Sequence, residues 1–170
     1  SRFCSCLPME REALKKTIIA YMENHNTLSL ATEKDGVPNA ATVFYVNTGF
    51  EIYFLSSSST RHGEHLAHNP RVSATIDEDY SNWLLIKGIQ IEGGVTGVGG
   101  IMENGRIAQA FVKKFPDVKD FLFSPQKLGE LIASKVSGVS FYKLTPERIF
   151  FIDNEKGFGK REELILSGND

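Results

Sequence analysis

Hydrophobic residues change from a helical to an alternating spacing near residue 26 of the chain. Residues 8–25 carry apolar side chains at helical spacing, which predicts an amphipathic helix. Its apolar stripe consists of Leu14, Ile18, Tyr21 and Met22. Three strands are then predicted over residues 27–32, 39–46 and 51–56, joined by glycine-containing turns at 34–36 and 47–49. The chain therefore begins with a helix and a three-stranded meander.

The rest of the chain continues mostly with strands. A short helix over residues 61–68 ends at Asn69-Pro70, and residues 71–76 form a fourth strand. In a long β-rich segment, 83–98, Ile89 and Ile91 alternate with polar residues. The remaining predicted elements are a polar loop over 77–82, a helix over 103–115, short helices and loops over 117–134, closing strands over 140–144 and 148–153 around Thr145-Pro146, and a polar tail over 154–170.

Six or seven strands with few long helices are typical of a mainly β domain. We expect a single domain over residues 1–170, folded as a closed or nearly closed antiparallel barrel of six to seven strands. Residues 1–8 are expected to be disordered, and the tail 154–170 to pack on the barrel or on a partner. Cys4 and Cys6 lie in the first segment, and two cysteines cannot complete a four-ligand zinc site.

Composition excludes several classes of protein. With 41% hydrophobic and 24% charged residues, the chain is neither disordered nor a disulfide scaffold. Its net charge of −2 provides no general basic field for nucleic acid or for an anionic membrane. No apolar stretch reaches the roughly 20 residues that span a bilayer, and no secretory signal is seen. A cytoplasmic protein is the expectation.

A hydroxyl-rich turn before the short helix is the best candidate site. Ser56 to Ser59 lead into Thr60, Arg61 and His62, where a helix start offers free N–H groups and the positive end of its dipole. Thr60 is the predicted N-cap. Hydroxyls, a guanidinium and an imidazole gathered there favour a phosphate site. The alternative is a polar surface loop in which Arg61 is only a solvated charge.

Two neighbouring motifs resemble those of a known family. Ser59-Thr60-Arg61-His62 is followed by Asn69-Pro70-Arg71-Val72-Ser73, and then by Lys-Gly-Ile-Gln-Ile-Glu-Gly at 87–93. This order is similar to that of the pyridoxamine 5′-phosphate oxidase-like flavoproteins, the FMN-binding split barrels, over roughly residues 15–163. The resemblance implies a homodimer with two FMN molecules, each in a cleft at the subunit interface that draws on both chains.

The resemblance also implies which residues contact the cofactor. The hydroxyl and cationic residues would hold the FMN phosphate, and the strand around Thr42 would lie beneath the flavin ring. Val43 and Phe44 can equally be barrel core. Our hypothesis for the glycine-punctuated tail is that it packs near the partner's flavin, with a plain surface tail as the alternative. The candidate cofactor-binding residues are Thr42, Val43, Phe44, Ser56, Ser57, Thr60, Arg61, His62, Gln90, Lys156, Phe158 and Arg161.

Departures from the oxidase pattern argue against oxidation of vitamin B6. His62 stands where the family has a lysine, and an imidazole is only partly charged at neutral pH. The oxidases' Arg and Lys at the ends of the strand 40–45 are missing, and their flavin-contacting Gln aligns with Gly88. Gln90, two residues further on and on the same face, is the candidate replacement.

These observations predict an FMN-dependent oxidoreductase that transfers electrons or hydride between FMN and a nicotinamide or other small substrate. The alternatives are a flavin carrier without turnover, a haem- or deazaflavin-binding relative, and a barrel that has lost its cofactor. No catalytic residue and no metal site is predicted. Trp83 is expected in the core, and His65 and His68 on a solvated helix face.

Overall fold

The computed structural model describes residues 7–119 and 139–170; Cys4, Cys6, most of the segment 1–8 and the segment 120–134 lie outside them. Within this part the chain forms three α-helices and seven strands. In chain order they are α1 (Arg11–Glu23), β1 (Thr27–Lys34), β2 (Val37–Thr48), β3 (Glu51–Ser57), α2 (Arg61–His68), β4 (Arg71–Asp77), β5 (Lys87–Gly97), α3 (Ile101–Lys114), β6 (Val139–Asp153) and β7 (Arg161–Ile165). None of the described helices is long and apolar enough to cross a membrane.

The strands confirm the predicted antiparallel barrel. They pair in the order β3-β2-β1-β4-β5-β6-β7, and β3 pairs in addition with β6. This second pairing closes the first six strands into a barrel, and β7 pairs with β6 beyond the part of β6 that pairs with β3. The ladder between β2 and β3 is short, because it ends at the pair Tyr45↔Phe54. Beyond that pair the two strands part, and the barrel wall is split.

Two apolar clusters hold the described elements together. The stripe of α1 packs with the barrel interior, where Ile18 and Met22 are fully buried, so the predicted amphipathic helix is confirmed. Ile89 and Ile91 also point inward, as their alternation predicts. A second cluster lies on the outer surface, where α3 packs Ile107, Ala108 and Phe111 against Val46, Tyr53 and Phe141. Helix α3 thus covers the outer face of β2, β3 and β6.

The prediction of two separate closing strands is wrong, because β6 runs unbroken through Thr145-Pro146. Its register against β5 shifts between Glu92 and Gly93, so Glu147 is an extra residue and Pro146 lies at a β-bulge. Proline is tolerated there because a bulge interrupts the ladder. Gly93, opposite Pro146, has no room for a Cβ, which would overlap the Thr145 carbonyl oxygen.

The predicted β segment 83–98 also starts differently in the structure, because its first residues are not in a strand. Trp83–Leu85 is a 3₁₀ turn, capped by the Asn82 side chain, which accepts a hydrogen bond from the Leu84 N–H at 3.0 Å. Trp83 is 61% exposed, so the prediction that it lies in the core is wrong. Its ring meets that of Phe158 edge-on at 4.9 Å.

The tail contains a seventh strand, β7, which pairs with β6 from Arg148↔Ile165 to Ile152↔Arg161. Leu164 joins the core cluster. The sequence prediction leaves this strand out, because its polar residues carry only one inward-facing apolar position. A docked tail places Arg161 on the outer face of the sheet.

We expect Gly93→Ala to lower the free energy of unfolding by about 1–3 kcal/mol, because the added methyl overlaps backbone atoms of β6. Urea unfolding would measure the change. Gly97→Ala is the matched control, since it lies in the same strand with no atom within 4 Å of its would-be Cβ. Equal stability of the two variants would contradict the tight packing at the bulge.

Candidate functional site

A cleft of about 500 Å³ opens where β2 and β3 part, within the size range of small-molecule sites. Its floor is formed by the two diverging strands, and its sides by α2 and α3. The lining residues are Thr42, Val43, Phe44, Leu55, Ser56, Ser57, His62, Phe111, Phe115 and Val139. Six predicted site residues are therefore brought together: Thr42, Val43, Phe44, Ser56, Ser57 and His62.

Hydroxyl groups build the polar end of the cleft. The Thr60 Oγ1 accepts a hydrogen bond from the Gly63 N–H at 3.1 Å and donates to the Ser57 carbonyl at 2.7 Å. The predicted N-cap is thereby confirmed. Ser56 Oγ lies 2.5 Å from His62 Nε2 and 3.5 Å from Thr60 Oγ1. The cap therefore fixes the start of α2 beside the Ser56–His62 pair.

Gly63 allows this close approach of α2 to the serine loop. A Cβ on Gly63 would lie 2.9 Å from the Ser58 Cα, a contact that real side chains do not make. Arg61, the first residue of α2, is exposed and does not line the cleft. No hydrogen bond or ion pair joins Arg61 to another residue in the described ranges. Arg61 therefore carries an exposed positive charge on the residue directly before His62, which does line the cleft.

The imidazoles of α2 have two different environments. Burial and, to a lesser degree, the neighbouring His65 lower the pKa of His62 below its ordinary value. His65 is 5% exposed and its Nδ1 lies 3.1 Å from the Thr32 Oγ1 on β1, so the prediction of a solvated His65 is wrong. Helix α2 turns this face onto β1, which the sequence spacing alone does not reveal. His68 is exposed, as predicted.

Aromatic side chains form the other end of the cleft. Phe44 is 61% exposed, and its ring meets that of Phe115 edge-on at 5.4 Å. Phe111 lies behind Phe115 at 5.9 Å. The sequence predicts Phe111 and Phe115 only as a helix stripe, and nothing local indicates that the stripe continues into a cleft. The flat, apolar walls suit an aromatic ligand ring.

Lys114 holds the end of α3 that carries Phe115. Its Nζ donates to the carbonyls of His25 at 2.6 Å and Tyr45 at 3.1 Å, and lies 4.1 Å from the centre of the Tyr45 ring. Burial lowers the pKa of Lys114 to about 8, an effect that Glu23 partly opposes. The ammonium therefore fixes one wall of the cleft to the junction of α1, β1 and β2.

We expect the stability difference between the wild type and Lys114→Met to depend on pH. Between pH 8 and 10.5 the unfolded chain binds more protons at Lys114 than the folded chain does, so this group makes stability rise with pH. Below pH 8 both states are charged and the cost of burial is present in full. Solvent screens this half-buried group in part, so we expect the stability difference between the wild type and Lys114→Met to change by about 1–2 kcal/mol over this pH range.

Urea unfolding at pH 7 and pH 10 would measure this change. The free energy of unfolding of the wild type, relative to that of Lys114→Met, should be higher at pH 10 than at pH 7 by that amount. The exposed neighbour supplies the control, since Lys113→Met should show the same offset at both values. If the stability difference between the wild type and Lys114→Met were the same at both pH values, the lowered pKa of a buried Lys114 ammonium would be contradicted.

The other predicted site residues lie apart from the cleft. The Arg161 Nη1 donates to the Gln90 Oε1 at 3.2 Å, and the guanidinium lies 4.0 Å from the centre of the Phe150 ring. Phe158, 67% exposed, contacts Trp83, and Lys156 lines a small crevice against Met9 and Phe151. Gln90, Lys156, Phe158 and Arg161 are therefore absent from the described lining of the cleft.

One row across the sheet nevertheless connects the cleft to this second group. Strand registers place Thr42 beside Ser29, Ser29 beside Thr75, and Thr75 beside Gln90, all facing outward. Three strand spacings separate Thr42 from Gln90, or about 14 Å. Between them the outer face carries small side chains, among which Ser29, Ala31, Ala40 and Ser73 are exposed. Thr42 and Gln90 thus flank an exposed strip of small residues on the outer face of the sheet.

Comparison with known proteins places this barrel in a family. The sequence profile of pyridoxamine 5′-phosphate oxidase matches residues 14–153, and the chain belongs to that family. A relative, the UPF0306 protein plu4501 of Photorhabdus laumondii, is 30% identical over 144 residues, which cover 83% of this chain and 88% of that protein. The resemblance stated from the motifs is confirmed.

Solved structures of similar fold have different ligands in their names. A heme binding protein from Mycobacterium smegmatis matches with a TM-score of 0.69 and 22% identity, over 94% of this chain and 60% of that one. An FAD-binding protein from Mesorhizobium loti matches with a TM-score of 0.59 and 20% identity, over 81% of this chain and 89% of that one. At these identities the likeness shows the fold alone.

Proposed function

We propose that the protein is an FMN-dependent oxidoreductase that transfers electrons or hydride between FMN and a nicotinamide or other small substrate. The observation that carries the proposal is the cleft at the barrel split, which joins a hydroxyl-rich helix start to flat aromatic walls. FMN has the same division, because a phosphate lies at one end and a planar ring at the other. Family membership supports a flavin ligand.

The residues present fit this cofactor. Ser56, Ser57, Thr60 and His62 would hold the phosphate, with Arg61 as the nearby cation. Thr42, Val43 and Phe44 would lie along the ring. The backbone of β2 also contributes, since its edge has no β3 partner beyond Tyr45 and can offer hydrogen bonds to the ring's polar edge. Bound FMN would supply the redox chemistry, and the chain its placement and polarity.

We further propose a homodimer in which each subunit completes the other's cleft. The strip of small exposed residues can pack closely on a second copy of itself. A two-fold axis through this strip would carry Gln90, Arg161, Lys156 and Phe158 of one subunit towards the cleft of the other. In this arrangement the exposed Trp83–Phe158 pair, whose Phe158 lies three residues before Arg161 along the chain, would also be available to the second copy.

Haem is a second candidate ligand. It is favoured by His62, an imidazole at the end of a cleft whose remaining walls are largely apolar, and by the similar fold of a heme binding protein. A flavin carrier without turnover and a deazaflavin protein are variants of the first proposal. The longer phosphate tail of a deazaflavin cofactor would need more cations than Arg61 alone supplies.

We expect the purified protein to bind FMN and to show the visible absorption bands of a bound flavin. Arg61→Ala should raise the dissociation constant about 10- to 150-fold, because it removes a charge-assisted contact to the phosphate. Fluorescence titration with FMN measures the dissociation constants of the wild type and the variant, and an absorption spectrum of the protein shows the flavin bands. Arg71→Ala is the matched control: Arg71 is exposed and paired with Glu147, away from the cleft, so its loss should leave binding unchanged.

Two further measurements separate the alternatives. Anaerobic bleaching of the bound flavin by NADPH or NADH would support an enzyme, whereas a flavin that is reduced only by dithionite would favour a carrier. A hemin titration that gives a Soret shift lost in His62→Gln would favour haem. Absence of any flavin binding would refute the proposal, and unchanged affinity in Arg61→Ala would show that the phosphate lies elsewhere.

A further inference from the structure

The described lining of the cleft carries no fixed charge. Among the ten described residues that line the cleft there is no Lys, Arg, Asp or Glu. The one titratable group among these ten residues is His62, whose Nε2 lies 2.5 Å from the Ser56 Oγ. The groups given beside this imidazole are the Ser56 hydroxyl from β3 and His65 from its own helix, while the rings of Phe111 and Phe115 line the other end of the cleft. No carboxylate among the lining residues offsets a charge there.

These surroundings disfavour the charged form of the imidazole when no anion is beside it. Burial is the main cause of the lowered pKa of His62, and repulsion by His65 adds to it. A neutral imidazole has one N–H donor, and its other nitrogen is an acceptor that repels an anionic oxygen. An imidazolium has two donors and a charge. The same side chain can therefore either pair with Ser56 or bind an anion.

We propose that His62 is a proton-coupled phosphate latch, which takes up one proton from solvent when a phosphate monoester dianion binds beside Ser56. This inference rests on the proposed FMN site and adds its regulation. On binding, the imidazole gains a proton and donates to a phosphate oxygen, while the Ser56 hydroxyl becomes free to donate to the same group. A lysine here would stay charged with or without ligand, so the coupling comes from the histidine.

The latch makes affinity depend on pH in a defined direction. Above the pKa of His62 in the free protein, binding requires the uptake of a proton whose concentration falls as the pH rises. Affinity for the dianion therefore falls by up to tenfold per pH unit. The phosphate itself is a dianion only above its second pKa of about 6. The window from pH 6.5 to 8.5 therefore isolates the histidine, since phosphate charge is nearly constant there.

Fluorescence titrations of FMN and riboflavin across this window test the proposal. For the wild type, FMN affinity should fall with pH, while riboflavin affinity, which involves no phosphate, should stay flat. His62→Lys should bind FMN with a flat profile, and His62→Gln should bind it weakly and also with a flat profile. His68→Gln, which alters an exposed histidine of the same helix, should keep the wild-type slope.

The outcomes separate the latch from the proposed function. A flat FMN profile in the wild type, or a sloping one in His62→Gln, overturns the latch while leaving FMN binding intact. If no flavin binds, the proposed function fails. The latch is then tested on the wild type with inorganic phosphate, by NMR titration of the His62 ring: a raised pKa in phosphate supports it, and an unchanged pKa overturns it.

Discussion

Tyr45 is the residue on which the arrangement of the site depends. Its ring is fully buried and its hydroxyl donates to the Met22 carbonyl at 2.5 Å, while its N–H donates to the Asn26 carbonyl. Its own carbonyl accepts from Lys114. One residue thus ties α1, β1 and α3 to β2, at the last pair before β2 and β3 part. Burial raises the pKa of the Tyr45 hydroxyl, so it stays a donor throughout the ordinary pH range.

The split below Tyr45 determines what kind of site the barrel can hold. A continuous ladder would use the edges of both strands, and only side chains could then contact a ligand. Here the strand edge, the serine turn and the start of α2 all face one cleft. The chain can therefore bind a ligand largely through backbone groups and small hydroxyls. That explains why the site has so few charged side chains.

Local sequence rules correctly predicted the elements whose ends are marked by capping residues or proline. Helix α2 begins and ends where Thr60 and Asn69-Pro70 place it, because capping and proline act within a few residues. Alternation correctly placed Ile89 and Ile91 inside. Other features depend on tertiary packing and were not predicted. A bulge lets β6 continue as one strand past Pro146, and contact with β1 buries His65.

The candidate site was predictable only in part for the same reason. The serine turn and His62 are consecutive in sequence, and a helix start gives them a chemical meaning. Phe111 and Phe115 reach the cleft only because α3 crosses the outside of β2, β3 and β6. Strand parity shows that Gln90 and Arg161 face outward, but not what lies opposite them.

The interrupted ladder also has a mechanical consequence. The β2–β3 ladder ends at Tyr45↔Phe54, and beyond it the ring of Phe44 on β2 meets that of Phe115, the residue after α3, edge-on. One side of the cleft is therefore held by a contact between side chains, where a continuous barrel would hold it by backbone hydrogen bonds.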